Sequence, residues 1–381
     1  MDPRGGGPIA GIVQLGRQLL AEGHRSEVIT LDAANEAIAD FPGPVHALGP
    51  SRGGYRYNAG LVPWLQSHVA KYDAVIVNGL WQYHSFGAWR ALAGGRVPYY
   101  VFPHGMLDPW FRHTYPLKHF KKSLYWPWAE YRVLRDARAV LFTCEEERRL
   151  ARESFSLYRA RERVVPYGIG AASLDSASDR EAFLAAHPEL RQQRVWLFLG
   201  RLHEKKGCDL LIQAFATVAS QDSRLRLVMA GPDQSGWAAS LQHLAQSLGV
   251  ADRITWPGML GGAQKWGALR TAEVFILPSH QENFGIAVAE ALSCALPVLI
   301  SDKVNIWREI VAGEAGFVDS DDLEGTRRLL TRWLGVGDPA RSRMRHAALR
   351  LFEKRFTVAA LTRDLLGLFA EDALGSPALE R

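Results

Sequence analysis

The sequence predicts an α/β chain of two parallel-sheet domains, on three observations. Short, wholly apolar runs recur along the chain without polar alternation, as expected of strands buried on both faces of a sheet. Helical patterns separate these runs, giving repeated βαβ units. The units are too many for one open sheet of ordinary width, and 381 residues at ~150 per domain leave room for two domains.

In chain order, the expected strands are 27–31, 74–77, 99–102, 139–142, 164–165, 195–199, 225–230, 254–256, 274–277, 297–300 and 316–318. Most are β-branched and bounded by Gly, Pro or polar residues. Ile9, Ile12, Val13, Leu19 and Leu20 recur at helical spacing, with Pro8 suited to a first turn. Leu210, Leu211, Phe215 and Val218 repeat the pattern after Gly207. The small, polar stretch within 168–191 reads as a linker. The expected domains are 1–168 and 169–358, followed by a terminal segment, 359–381. Its apolar helix, 359–370, has no strand after it and must dock elsewhere. A Gly-rich turn followed by a helix normally succeeds the first strand of such a sheet. Here the turn begins at Gly5, so the first strand of the N-terminal domain is expected to be missing.

Composition narrows the class. Hydrophobic residues make up 48% and charged residues 22%, which excludes a disordered or fibrous chain. A net charge of +5 is too weak, and too little concentrated, for a nucleic-acid partner. Cys144, Cys208 and Cys294 lie far apart, so neither a disulfide framework nor a zinc site is expected and a reducing, cytoplasmic setting is. No apolar run approaches the ~18 residues of a membrane span, and residues 1–8 lack the apolar core of a signal peptide.

The chemistry concentrates in 278–292. An apolar strand runs into Pro278-Ser279-His280-Gln281-Glu282-Asn283-Phe284-Gly285-Ile286, and a strong helix former run follows. The free N–H groups and positive dipole of such a helix start make Asn283, Phe284, Gly285 and Ile286 a ready pyrophosphate cradle. Glu282 and Glu290 flank it, one placed for sugar hydroxyls and one for ribose hydroxyls. The plainer reading is two ordinary surface carboxylates.

At these residues the chain resembles the retaining GT-B glycosyltransferases of family 4, which carry an E-x7-E element matched by Glu282 and Glu290. Further resemblances span nearly all of the second domain and much of the first. Gly200-Arg201-Leu202-His203-Glu204-Lys205-Lys206-Gly207 resembles the family's G-R-L-x-x-x-K-G turn. Val164-Val165-Pro166-Tyr167-Gly168-Ile169 resembles V-I-P-N-G-V, with Tyr167 where Asn is commoner. Met229-Ala230-Gly231 and Trp256-Pro257-Gly258 resemble strand ends beside the base. Phe102-Pro103-His104-Gly105-Met106-Leu107-Asp108 resembles a first-domain turn whose His faces the donor sugar, and Gly5–Pro8 the Gly-rich loop near the donor phosphate.

The resemblance implies a GT-B fold, two Rossmann-like domains with a cleft between them, the first for the acceptor and the second for a nucleotide sugar. The terminal helix is expected to return to the first domain. It implies retaining hexosyl transfer to a glycan or polyprenyl-linked acceptor, as in surface polysaccharide biosynthesis, with no metal and no cofactor. His104, Arg201, Lys206 and Glu282 take the catalytic roles. Gly6, Gly7, Gly200, Arg201, Lys206, Glu282, Asn283, Phe284, Gly285, Ile286 and Glu290 take donor binding. Arg201 and Lys206 suit the negative charge that builds on a departing nucleoside diphosphate. The alternative is an inactive GT-B scaffold that binds a saccharide or a partner enzyme.

Two features remain. Asp319-Ser320-Asp321 looks like a metal-binding D-x-D, but its place between a strand and a helix favours an N-cap at Ser320 or Asp321. Residues 110–128 interleave bulky aromatics with cations and hold several of the 12 Trp. Lys118, Lys121, Lys122 and Trp126 are candidates for an anionic membrane surface or a diphosphate-linked acceptor. The competing reading packs the aromatics inward and leaves the cations in solvent.

Overall fold

A computed structural model of the chain describes residues 7–33, 40–170, 176–234 and 236–374. The chain divides into two units, Met1–Gly168 with Thr357–Arg381, and Ile169–Phe356. No helix among the described residues is long and apolar enough to cross a membrane.

The first unit carries strands β1 (Val28–Thr30), β2 (Val45–Ala47), β3 (Val75–Asn78), β4 (Tyr99–Phe102), β5 (Ala139–Phe142) and β6 (Glu162–Val164). All pairings are parallel, in two separate sheets, β1-β2 and β3-β4-β5-β6. The apolar runs become strands because both faces are covered. In β4, Tyr99 and Val101 join a core with Leu61, Leu65, Trp126 and Val133. Tyr100 and Phe102 point the other way, onto Leu361, Leu365 and Leu368. Those leucines lie on the helix Val358–Leu374, which packs in this unit beside the helix Gly7–Ala21. Tyr100 Oη donates to the Asp372 carboxylate at 2.6 Å, and Arg138 pairs with Asp372 at 2.9 Å.

β2 falls in a stretch where no strand is expected. It has three residues, all only partly buried, so it lacks the apolar run that marks the other strands. Among the described residues no pairing joins β1 to β3.

The second unit carries β7 (Arg194–Leu199), β8 (Leu225–Ala230), β9 (Ile254–Gly258), β10 (Val274–Leu277), β11 (Val298–Ser301) and β12 (Gly316–Asp319). They form one parallel sheet in the order β12-β11-β10-β7-β8-β9. This is the doubly wound arrangement, with chain order reversing between β7 and β10. The Asp319–Asp322 turn behaves differently from expectation. Asp322, not Ser320 or Asp321, caps the helix Leu323–Leu334 by accepting the Gly325 N–H at 2.7 Å. Asp319 pairs with Arg328 at 2.5 Å, and Asp321 faces His280 at 2.9 Å.

Tyr167 shows how one departure from the family pattern is absorbed. It is 8% exposed, and a Cβ at Gly11 would fall 1.8 Å from its hydroxyl. Gly11→Ala should therefore destabilise the protein by about 1–3 kcal/mol through overpacking. Combining it with Tyr167→Asn, the smaller side chain, should cost less than the two single changes added together in urea denaturation.

Candidate functional site

Open α/β sheets bind ligands beyond the carboxyl ends of their strands where chain order reverses. In the second unit that point lies between β7 and β10, and two expected motifs leave the sheet there. The turn after β7 is closed by Gly207, whose φ of 64° is left-handed and whose added Cβ would fall 2.2 Å from the Pro278 carbonyl oxygen. That contact binds it to the chain leaving β10. The Lys205 carbonyl accepts both the His280 N–H at 2.8 Å and the Ser279 hydroxyl at 2.9 Å. The next residue, Lys206, then forms an ion pair with Glu282. Glu282 is held from its other side as well. Its N–H donates to the Lys303 carbonyl and its carbonyl accepts the Asn305 N–H, each at 2.9 Å.

Gly285 caps the helix Ile286–Ser293 with φ 76°, so that helix starts immediately after Glu282–Phe284. Glu290 lies within it and accepts from Lys265 Nζ at 2.7 Å. Gly200 sits at the end of β7, where an added Cβ on Gly231 would fall 1.7 Å from its carbonyl oxygen. The β7 and β8 ends are therefore pressed together backbone to backbone. Arg201 is exposed, and no ion pair to it is found among the described residues. The expected cradle uses the backbone N–H of Phe284 and not its ring. Its ring is 5% exposed and packs edge-on to Phe356 at 5.4 Å, so only its backbone can face a ligand.

In the first unit, His104 follows β4 with a left-handed φ of 50°. Its Nε2–H donates to Asn78 Oδ1 at 2.9 Å, which leaves Nδ1 as the acceptor nitrogen. Burial pulls its pKa down to about 4, so the ring is neutral near neutral pH. It stacks on Phe102 and meets Tyr167 edge-on. Gly7 opens the helix Gly7–Ala21, whereas Gly6 lies outside the described residues.

The aromatic–basic segment splits in two. Trp126 is 2% exposed and stacks on Phe155 at 4.2 Å, so it belongs to the core and not to a membrane or acceptor surface. Lys118 and Lys121 are exposed, while Lys122 is half-buried with its Nζ 4.3 Å from the Trp81 ring centroid. The inward-packing reading holds in part on the helix Pro116–Tyr125, where His119 stacks on Phe155 and Lys118 and Lys121 face solvent, whereas Phe120 is 62% exposed and Lys122 is drawn inward.

Residues 6–168 match the family described as Glycosyl transferase 4-like domain, and residues 179–349 match Glycosyl transferases group 1. The chain belongs to the group 1 glycosyltransferases. A D-inositol 3-phosphate glycosyltransferase of Kineococcus radiotolerans is 33% identical over 194 residues, 49% of this chain and 45% of that one. The enzyme of the same name from Streptomyces avermitilis is 32% identical over 222 residues, 56% and 47% of the two chains. The matched segments thus span about half the length of these relatives. Sucrose-phosphate synthase from Thermosynechococcus elongatus superimposes with a TM-score of 0.72 at 18% identity, covering 97% of this chain and 94% of its own. Anabaena HepE in complex with UDP and glucose gives 0.71 at 16% identity, covering 96% of each. The fold is therefore two-domain GT-B.

Two buried carboxylates of this chain are not foreseen from its sequence. Glu147 accepts the Gly105 N–H at 2.6 Å, the Thr143 N–H at 2.7 Å and the Thr143 hydroxyl at 2.6 Å, and so anchors the turn carrying His104. It is one of three consecutive glutamates opening a helix, and nothing in Glu145-Glu146-Glu147 marks the third as the anchor. Glu130 is fully buried and accepts the Trp81 N–H at 2.7 Å and the Ser85 hydroxyl at 2.8 Å. Its Oε2 has no hydrogen-bond partner among the described residues. Burial raises its pKa to about 7, opposed by these two bonds and by the Lys122 charge.

A carboxyl whose folded pKa stands above its unfolded value favours folding while protonated, and that contribution is lost as pH rises through the folded value. Stability relative to Glu130→Gln should accordingly fall by about 3 kcal/mol between pH 4.5 and pH 7. Parallel urea titrations of the two proteins across that range test it, and parallel pH profiles would refute it.

Proposed function

We propose that this chain transfers a hexose from a nucleoside-diphosphate sugar to a phosphate-bearing saccharide acceptor, with retention of configuration and without a metal ion. The second unit takes the donor and the first unit the acceptor. The observation that carries this reading is the facing of Lys206 and Glu282 at the reversal of strand order, with Arg201 exposed on the same turn.

The chemistry follows from those groups. Breaking the sugar–phosphate bond leaves negative charge on the nucleoside diphosphate. Lys206, Arg201 and the first-turn N–H groups of the helix Ile286–Ser293 neutralise it in place. Lys206 pairs with Glu282. An arriving diphosphate takes over Lys206 and releases the Glu282 carboxylate to accept from sugar hydroxyls, while Glu290 accepts from the ribose. HepE, a fold neighbour with UDP and glucose bound, supports this class of donor.

The acceptor reading rests on the helix Pro116–Tyr125. Leu117, Phe120 and Leu124 share one outward face and are 80%, 62% and 63% exposed. Exposed Lys118 and Lys121 flank them. An apolar stripe bordered by cations suits the surface of an anionic bilayer. It favours an acceptor on a polyprenyl carrier at the cytoplasmic face, as in surface polysaccharide assembly. The name of the inositol phosphate glycosyltransferases favours a second reading, a soluble phosphorylated polyol.

Nucleotide release from a panel of UDP-, GDP- and ADP-sugars tests the donor reading. One donor should turn over, and Lys206→Met should cut its rate by roughly 10²–10³-fold. Glu282→Gln should bind the free nucleoside diphosphate more tightly while losing turnover, because it frees Lys206. No turnover with any donor, and unchanged binding in Glu282→Ala, would favour the inactive scaffold.

The membrane reading is tested by flotation. The protein should float with phosphatidylglycerol vesicles but not phosphatidylcholine vesicles, and Leu117/Phe120/Leu124→Ser should stay at the bottom of the gradient. Equal flotation of this variant and the parent would sink the assignment.

A further inference from the structure

Lys121 and Lys122 are neighbours on one helix, yet they meet different surroundings. Lys121 is exposed, whereas the Lys122 ammonium stands 4.3 Å from the Trp81 ring centroid and 5.6 Å from that of Phe111. No ion pair to Lys122 is found among the described residues. Burial lowers its pKa, opposed by the charge of Glu130 and reinforced by that of Lys118. A half-buried ammonium without a contacting carboxylate is costly, and aromatic faces offset only part of that cost.

The rings beneath Lys122 are fixed in place. Trp81 has a left-handed φ of 72°, a conformation that is strained for a bulky residue and persists only where the surroundings impose it. Buried Glu130 holds its N–H, and Trp81 Nε1 donates to the Met106 carbonyl at 3.2 Å. The indole also lies near the rings of Trp126 and Phe155, with centroids 5.9 and 5.4 Å away. Trp81 therefore adjoins the turn that carries His104, beyond the carboxyl ends of β3 and β4. That is the edge of an α/β sheet where ligands bind.

We propose that Lys122, held over Trp81 and Phe111, binds an acceptor phosphate, while Lys118 and Lys121 serve the bilayer surface. This rests on the reading above that the first unit takes a phosphate-bearing acceptor. The ligand is a phosphate mono- or diester, and both a soluble acceptor and a lipid-linked one supply that chemistry.

Pyridoxal 5′-phosphate is a suitable probe, since it is both a phosphate and an amine-reactive aldehyde. A lysine amine adds to the aldehyde and expels water. Borohydride then reduces the imine to a secondary amine that peptide mass spectrometry can place. In the full chain, Lys122 should label faster than Lys118 or Lys121. Inorganic pyrophosphate at about ten times its Kd should slow Lys122 labelling by about tenfold. Phosphatidylglycerol vesicles should protect Lys118 and Lys121 but not Lys122.

Lys206 is read in the same digest with a nucleoside diphosphate as protectant. Protected Lys206 beside Lys122 that pyrophosphate leaves unprotected overturns the inference and spares the donor site. Unprotected Lys206 with Lys122 protected as expected overturns the donor site and supports the inference. Protection of Lys122 by vesicles alone overturns the inference in favour of a lipid headgroup.

Discussion

The Lys205 carbonyl ties two strand ends of the second unit together. By accepting from His280 and Ser279 it fixes the turn after β7 against the chain leaving β10. Lys206 can then face only the direction in which Glu282 waits. Gly207 permits the approach, because any side chain at its left-handed φ would strike Pro278. Two motifs more than seventy residues apart thus become one site through backbone hydrogen bonds and a missing Cβ. The parallel β7-β10 pairing supplies the frame, at the point where chain order reverses.

The first unit is organised by buried carboxylates. Glu147 collects three donors around Thr143 and Gly105, and Glu130 collects two around Trp81 and Ser85. Each holds a turn just past a strand end in a conformation it would not keep alone. His104 and Trp81 both sit in the left-handed region. The energy of those bonds offsets the strain, and the result is a set of rigid side chains at the edge of the sheet.

The same division of labour separates the two faces of the segment 110–128. Trp126 fills the core against Phe155, and Lys122 is drawn inward over Trp81. Leu117, Phe120 and Leu124 are left outside, although nothing in their chemistry distinguishes them from residues that face a core. A helix rule identifies which residues share a face. It does not say which face the neighbouring elements cover, and here they cover the one with Lys122.

What the sequence determined by itself is local and periodic. Among the described residues ten of the twelve strands follow from apolar runs, because a parallel sheet covered on both sides demands them, whereas β6 (Glu162–Val164) shares only Val164 with the expected strand 164–165. The Glu282–Glu290 spacing and the turns at Gly200–Gly207 and His104–Gly105 were legible through their resemblance to the motifs of a known family, which are short and contiguous in the chain. Other features depend on contacts far apart in the chain. β2 needs β1 to be a strand at all, since its three residues bury too little to announce themselves. The choice of Glu147 over its two neighbours, the partnership of Lys206 with Glu282 and of Lys265 with Glu290, and the burial of Trp126 were decided only by tertiary packing. A side chain's partner is set by which element folds against it, and periodicity carries no record of that.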